Sequence, residues 1–246
     1  MVRINSVGKS DVGLKRSNNE DAFLVDLEKG FGVLADGMGG AAAGEIASRI
    51  FVKTASEVFS DKNARSSKKG ALDLVQEAFE LANQNILNHA GENSNYQGMG
   101  CTAELVAFDN QHFVLGHVGD SRTYLFRKGE LRQLTRDHSL VQDQIDQGLI
   151  TPVEARRHSL RNVILRAVGV NERLAVDLIS GTSVSGDLFL LCSDGLTDMV
   201  DDPSIREALL TSPDLDQKVE RLIELAKSAG GHDNITVILC EMMDSH

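Results

Sequence analysis

Tryptophan is absent from the 246 residues and tyrosine occurs only twice, so the core this chain builds is expected to be aliphatic. Cysteine is scarce as well. Cys101, Cys192 and Cys240 all sit inside apolar runs, and neither their odd count nor their spacing suits a disulfide framework or a zinc site. They read as buried small hydrophobes. Positive charge is in deficit: 25 Lys and Arg stand against 36 Asp and Glu, for a formal net charge of −11. No Lys/Arg stripe with interleaved aromatics offsets it, so a phosphate backbone would meet repulsion over most of the surface and no nucleic-acid partner is expected. Long apolar runs are missing too. Stretches such as Leu188 to Cys192 are strand-sized, far short of a bilayer span, and "MVRINSVGKSD" contains no apolar signal segment. The expectation is a cytoplasmic, monomeric protein that engages no membrane. Internal repeats and low-complexity segments are likewise absent.

With 41% apolar and 25% charged residues the composition is that of an ordinary globular chain. One domain over residues 1–246 is expected. Short β-type runs dominate: 22–25, 31–35, 102–108, 112–118, 123–126, 188–192 and 235–240. Turn signals at "EKG" (28), "DN" (109), "KG" (128) and "SGD" (185) suit antiparallel hairpins. Ile46, Ile50, Thr54 and Val58 form one helical stripe, and Leu72, Val75, Phe79, Ala82 and Ile86 another, with the polar, basic loop "DKNARSSKKG" (61–70) between them. Later, Asp202-Pro203 and Ser212-Pro213 read as cap positions, and Leu215, Val219, Leu222, Ile223 and Ala226 as a stripe ended by Gly230-Gly231. Antiparallel strands inside and helices outside is the simplest arrangement that buries every stripe.

Residues 137–166 differ from the rest. A capping-box helix start at Thr151-Pro152-Val153-Glu154 sits among Arg136, Arg156, Arg157, Arg161, Arg166, His138 and His158. The segment reads either as a semi-independent flap or as a solvated helical excursion, and the sequence does not choose between them.

Three apolar runs deliver a carboxylate at or just past their ends: "FGVLAD" gives Asp36, "VLGHVGD" gives Asp120 and "LFLLCSD" gives Asp194. Glu20-Asp21 and Asp233 stand just before two further runs. One aspartate at a strand end is usually a turn or cap residue, but repetition weakens that reading. If these ends converge, several like charges share a site and call for a counter-cation. Oxygen donors without a Cys or His pair favour hard ions, Mg²⁺ or Mn²⁺, and the Gly37 carbonyl is a further donor. "GKS" at 8–10 is not the end of a phosphate-binding loop, because Arg3 stands where that motif needs glycine. The glycines from 37 to 44 have the wrong spacing for a dinucleotide fingerprint.

In order, "RSNNED" (16–21), "DGMGG" (36–40), "GCTA" (100–103), "VGDSR" (118–122), "SDGL" (193–196) and "DNIT" (233–236) resemble the motifs of metal-dependent serine/threonine phosphatases of the protein phosphatase 2C type, in particular the stand-alone bacterial catalytic domains. The resemblance spans essentially the whole chain. It implies an α+β fold, a four-layer αββα sandwich of two antiparallel sheets flanked by helix pairs, with a binuclear Mn²⁺/Mg²⁺ site at one end. It also implies that Asp36 bridges the two ions, that the Gly37 carbonyl binds one, and that Asp194 and Asp233 bind the other. Glu20 and Asp21 would hold metal-bound waters, Asp120 with Asp194 a third ion, and Arg16 the substrate phosphate. Two such ions can generate a hydroxide at neutral pH for in-line attack in one step. An arginine offers phosphate a bidentate pair of donors. Outside the resemblance, Arg16 reads as a surface ion pair with Glu20.

The match has one gap. Many eukaryotic relatives carry histidine where this chain has Met38, and many bacterial ones where it has Ala41, so the general acid is unassigned. Metal-bound water is one candidate and His138 or His158 another, while His117 reads as a core residue and His232 as part of a turn. Three functions are therefore carried forward. The first is a phosphatase reversing kinase action on phosphoproteins, with the arginines of 137–166 contacting the substrate. The second is a catalytically impaired module binding metal and phosphoprotein, and the third a phosphatase dedicated to one partner.

Overall fold

Side chains along a strand alternate between its two faces, and here that alternation assigns each strand to two packing layers at once. On β3 (Phe31–Met38), Leu34 points into one core while Val33 and Ala35 point into another. The computed structural model describes residues 3–39, 41–60 and 70–244. Among them, one five-stranded antiparallel sheet runs β1 (Arg3–Asp11), β10 (Ile235–Met243), β9 (Leu188–Cys192), β6 (Arg122–Arg127), β7 (Glu130–Gln133). The other runs β2 (Asp21–Asp26), β3, β4 (Gly100–Asp109), β5 (His112–Val118), β8 (Asp177–Thr182).

The sheets face each other across Leu34, Val106, Phe113, Leu115, Phe189, Leu191 and Ile238. Helices α1 (Ala41–Ser60) and α2 (Ala71–Glu92) cover the outer face of the second sheet. Helices α6 (Asp202–Thr211) and α7 (Leu215–Ser228) cover the first. This is the α+β four-layer sandwich that the motifs imply. The three cysteines are free and buried, as expected. The core is mainly aliphatic, with phenylalanines at the joints between layers: Phe51 meets Phe79 edge-on at 4.8 Å between α1 and α2, and Phe113 meets Phe189 at 4.9 Å between the sheets.

Several local expectations shift. The row of α1 with no exposure is Ala47, Phe51 and Ala55, not Ile46 and Ile50, which are only partly buried. Small alanines let the helix sit close to the sheet, and the isoleucines fall to the flank of that contact. The N-caps are Asp201, accepting from the Ser204 N–H, and Asp214, accepting from the Gln217 N–H, each one or two residues from the expected position. The α7 stripe is buried at all five expected positions. "SGD" at 185 is no hairpin: it carries the chain from β8 in one sheet to β9 in the other. β1, β7 and β8, which no apolar run marks in the sequence, all lie at sheet edges. Gly8, Lys9 and Ser10 are extended residues of β1, so "GKS" forms no loop. The loop expected over 61–70 lies, except for Gly70, outside the described residues. Residues 137–166 hold two short helices, α3 (Leu140–Asp146) and α4 (Pro152–Ala155), and Thr151 and Glu154 make the expected reciprocal capping bonds.

Candidate metal centre

At one end of the sandwich the inward-facing row turns polar. On the second sheet, Phe23 gives way to Asp21, Leu34 to Asp36, Val106 to Glu104 and Thr102, and Leu115 to His117. On the first, Leu125 gives way to Thr123, Leu191 to Ser193 and Ile238 to Thr236. The register sets Asp21 directly opposite Asp36, and Asp36 opposite Thr102. Asp194 opens α5 (Asp194–Thr197) where β9 ends, and Asp233 stands just before β10. The carboxylates thus converge because successive antiparallel strands begin and end at the same edge of the molecule.

A cavity of about 140 Å³ brings together Arg16, Glu20, Asp36, Gly37, Asp194 and Asp233, with Met38, Thr102, Asn162, Ile164 and Asn234 completing its wall. Asp120 lines a neighbouring cavity of about 290 Å³ that shares Asp194 and runs beneath α3 and α4. Asp21 sits behind Asp36, where Ser193 and Thr236 donate hydrogen bonds to its Oδ2 at 2.8 and 2.6 Å.

The backbone around these groups is drawn tight. The Glu20 carbonyl accepts the Gly37 N–H at 3.2 Å and the Ser48 hydroxyl at 2.6 Å, and its N–H donates to Asn234 Oδ1 at 2.8 Å. Asn234 Nδ2 donates to the carbonyls of Val12 and Asn18, both at 3.0 Å, so one amide pins both ends of the loop that carries Arg16. A Cβ at Gly37 would come within 2.1 Å of the Gly44 carbonyl oxygen, and one at Gly195 within 2.0 Å of the Asn234 carbonyl. Each Asp-Gly pair therefore holds a carboxylate where a second backbone crosses too close for any side chain. Ser193, Asn234 and Thr236 are letters of the motifs "SDGL" and "DNIT" to which the resemblance assigns no role, whereas nothing in the sequence points to Asn162 or Ile164.

Electrostatics mark the cluster as short of positive charge. Burial first, then Asp21, Asp194 and Asp120, pushes the Asp36 carboxyl well above the usual range. Burial, then Asp120 and Asp198, does the same to Asp194. Asp21 is pushed up by burial to about 6, and Asp120 by burial and by Asp137 and Asp198 to about 7. As residues Asp36 and Asp194 keep some exposure along the cavity, but their carboxyl groups are surrounded by protein. Arg16 donates to Asp233 Oδ2 at 2.6 Å, so its ion pair is with Asp233 rather than with Glu20.

Among the described residues no three Asp, Glu, His or Cys side chains are already closed around one point as a ligand set. The residues nevertheless fit a hard divalent cation. Oδ1 of Asp21, of Asp120 and of Asp194 is buried without a hydrogen-bond partner, which costs about 1–3 kcal/mol for each such atom until something electropositive meets it. All donors are oxygens, as Mg²⁺ and Mn²⁺ prefer.

The histidines lie elsewhere. His138 is buried, its Nδ1 accepting the Gly119 N–H at 3.0 Å, and burial with the neighbouring His117 lowers its pKa to about 4. His158 Nδ1 accepts the Leu160 N–H at 3.2 Å. Neither lines the cavity with Arg16. His117 is a core residue, paired with Glu104 and bonded to the Arg136 carbonyl at 2.9 Å; burial disfavours its charged form, but Glu104 more than offsets this.

A family profile described as protein phosphatase 2C matches residues 14–240. The serine/threonine protein phosphatase PstP of Mycobacterium tuberculosis is 39% identical over 236 residues, which cover 96% of this chain and 44% of that protein. This chain thus spans less than half the length of that relative. Protein phosphatase PhpP of Streptococcus pneumoniae is 38% identical over 240 residues, covering 95% of each chain. The crystal structure of the catalytic domain of PstP in complex with two manganese ions superposes with a TM-score of 0.90 at 37% identity, over 99% of this chain and all of that one. With this end-of-sandwich carboxylate cluster and a match over most of its length, the chain belongs to the protein phosphatase 2C family.

Proposed function

We propose that this chain is a Mn²⁺- or Mg²⁺-dependent protein serine/threonine phosphatase that hydrolyses phosphoserine and phosphothreonine in one step, without a phosphoenzyme. The observation that carries it is a single cavity in which Arg16 faces Asp36, the Gly37 backbone, Asp194 and Asp233, with the orphaned oxygens of Asp21 behind Asp36 and of Asp120 in the neighbouring cavity that shares Asp194. The two manganese ions of the similar PstP domain support a reading with two ions here; Asp36 and the Gly37 carbonyl would hold one, and Asp36 with Asp194 and Asp233 the other. Asp120 with Asp194 would hold a third. Such ions, when bound, supply Lewis acidity toward phosphoryl oxygens and acidify a coordinated water.

The chain's own groups do the remaining work. Arg16 leaves Asp233 to bind the phosphate through paired N–H donors, a geometry that lysine does not offer. Glu20 and Asp21 accept hydrogen bonds from water and orient it, and the hydroxyls of Ser193 and Thr236 hold Asp21 so that Oδ1 stays free. Among the cavity's lining residues Met38 stands in place of an imidazole, so no histidine of this site hands a proton to the leaving alkoxide. Residues 1–246 act as one catalytic domain, with 137–166 as a flap beside the cavity. The substrates are phosphoproteins made by an opposing kinase. The protein works in the cytoplasm as a monomer, with no part for nucleic acid or membrane; among the described residues no helix is long and apolar enough to cross one.

The test is phosphate release from a phosphothreonine peptide with Mn²⁺, with chelator, and with Asp194→Ala. Turnover that needs Mn²⁺ and falls to the chelator background in the variant is expected. Folded, Mn²⁺-binding protein without turnover would move the reading to a phosphoprotein-binding module, which Met38 in the cavity wall would then explain.

A further inference from the structure

One buried side chain that the proposed chemistry leaves idle sits where the Asp120 loop and the 137–166 segment meet. His138 is 6% exposed. Its N–H donates to the Gly119 carbonyl at 2.7 Å and its Nδ1 accepts the Gly119 N–H at 3.0 Å, so both backbone groups of the residue before Asp120 end on it. Its own carbonyl accepts the Leu165 N–H at 2.7 Å, and the next turn repeats the pattern with Leu140 N–H to the Val163 carbonyl at 2.9 Å. Entry into and exit from 137–166 are thereby zipped together at His138.

The imidazole's two nitrogens have separate tasks. Nδ1 can accept from Gly119 only if the proton is on Nε2, which faces Asp177 Oδ2 at 3.2 Å. Arg166 Nη1 lies 3.0 Å from the same nitrogen and donates to Asp177 Oδ1 at 2.6 Å, so Asp177 neutralises the one and accepts from the other. On the opposite side the ring packs on His117, with centroids 4.5 Å apart, and His117 is bonded in turn to the Arg136 carbonyl just ahead of the segment. One residue thus touches the Asp120 loop, both roots of the segment and β8.

We propose that His138 is a positioning residue for Asp120. Through the reciprocal pair with Gly119 it fixes the backbone that aims the Asp120 carboxylate into the cavity shared with Asp194, and it ties that aim to the placement of residues 137–166. The consequence for divalent-ion affinity rests on the phosphatase reading; the tie between segment and loop rests on the geometry alone.

The two nitrogens can be separated by substitution. In Asn, Oδ1 occupies the position of Nδ1 and still accepts from Gly119 but falls short of Asp177; in Gln, the terminal amide reaches Asp177 but offers no acceptor at the δ position. His138→Gln should weaken Mn²⁺ binding at the weakest site by about tenfold in calorimetry, in line with the loss of an outer partner of a ligand. It should also speed tryptic cleavage within 137–166. His138→Asn should keep Mn²⁺ affinity within about twofold of the wild type. In an Asp120→Asn background the effect of His138→Gln on Mn²⁺ binding should vanish. If Asn and Gln behave alike, or if the Gln effect persists undiminished with Asp120→Asn, His138 is a packing residue and the proposal is overturned. Should His138→Gln be unfolded by circular dichroism, His138→Ala removes the acceptor for the Gly119 N–H without adding bulk and must still weaken Mn²⁺ binding in an Asp120-dependent way; no change overturns the proposal. Absence of turnover in the wild-type protein would defeat the phosphatase reading, while Mn²⁺ calorimetry and proteolysis would still decide the role of His138.

Discussion

Arg16 has the Asp233 carboxylate as its anionic partner in the structure, and the proposed function gives it a second, the phosphate of a substrate. Its present bond to Asp233, at 2.6 Å, occupies a guanidinium that is 48% exposed and lies in the wall of the candidate centre. An exposed ion pair of this kind contributes about 0–1 kcal/mol, so exchanging it for a phosphate costs little. Arg16→Lys keeps the charge but loses the paired donors, and should raise KM for a phosphopeptide about tenfold, close to 1.4 kcal/mol, with a smaller change in kcat. Steady-state kinetics decide it: a loss confined to kcat would count against phosphate binding by this residue. The glycine beside Asp36 follows a different logic. Nothing about Gly37 is chemical except its carbonyl; its missing side chain is what lets Gly44 and Glu20 close on the cavity-facing strand end.

Strands buried on both faces announce themselves in sequence, whereas of the four edge strands among the described residues only β2 does. β3, β4, β9 and β10 carry apolar residues on successive positions because helices cover one face and the other sheet covers the second. β1, β7 and β8 each lack a neighbour on one side and mix polar with apolar positions, so their composition resembles loop. The 137–166 segment shows a similar division among its charges. Arg136 pairs with Asp146, Arg161 with Asp198 and Arg166 with Asp177. Arg156 and Arg157 carry no ion pair among the described residues, although Arg156 acts on Asp201 through space. Arg156 also lines the cavity that holds Asp120 and Asp194. Reversing both, Arg156→Glu with Arg157→Glu, should raise KM for a phosphoprotein several-fold while leaving a small aryl phosphate unaffected, since only the larger substrate reaches them. Equal effects on both substrates would remove this segment from substrate selection.

Across the whole molecule the acidic end is a liability that a cation relieves. The carboxyls of Asp21 and Asp120, held up to about 6 and about 7, keep protons that the unfolded chain releases near 4. Between those values the folded chain binds more protons than the unfolded one, so stability falls as pH rises through the window. In chelator, urea unfolding should show the protein less stable at pH 8 than at pH 5, by an amount on the order of a few kcal/mol. Asp21→Asn should flatten that slope, and added Mn²⁺ should restore stability at pH 8 by mass action on the folded state alone. A profile in chelator that is level from pH 5 to pH 8 would mean that the cluster is not strained as described.

The buried strands, the α7 stripe and the carboxylates at strand ends are legible without coordinates, because each is a local pattern: period two, period 3.6, or an acidic residue next to glycine. The family is legible in the same way, since six short motifs in order are a linear signal. Which of those residues meet is a matter of the folded chain alone. The opposition of Asp21 and Asp36 follows from strand register. The hydroxyls on Asp21 come from the side of the other sheet, Thr236 on β10 and Ser193 just past the end of β9. His138 reads in sequence as a catalytic candidate, yet the fold turns its Nδ1 toward Gly119 and buries it, because a histidine's task is set by what its two nitrogens touch. Such contacts join residues distant in the chain, and no local pattern encodes them.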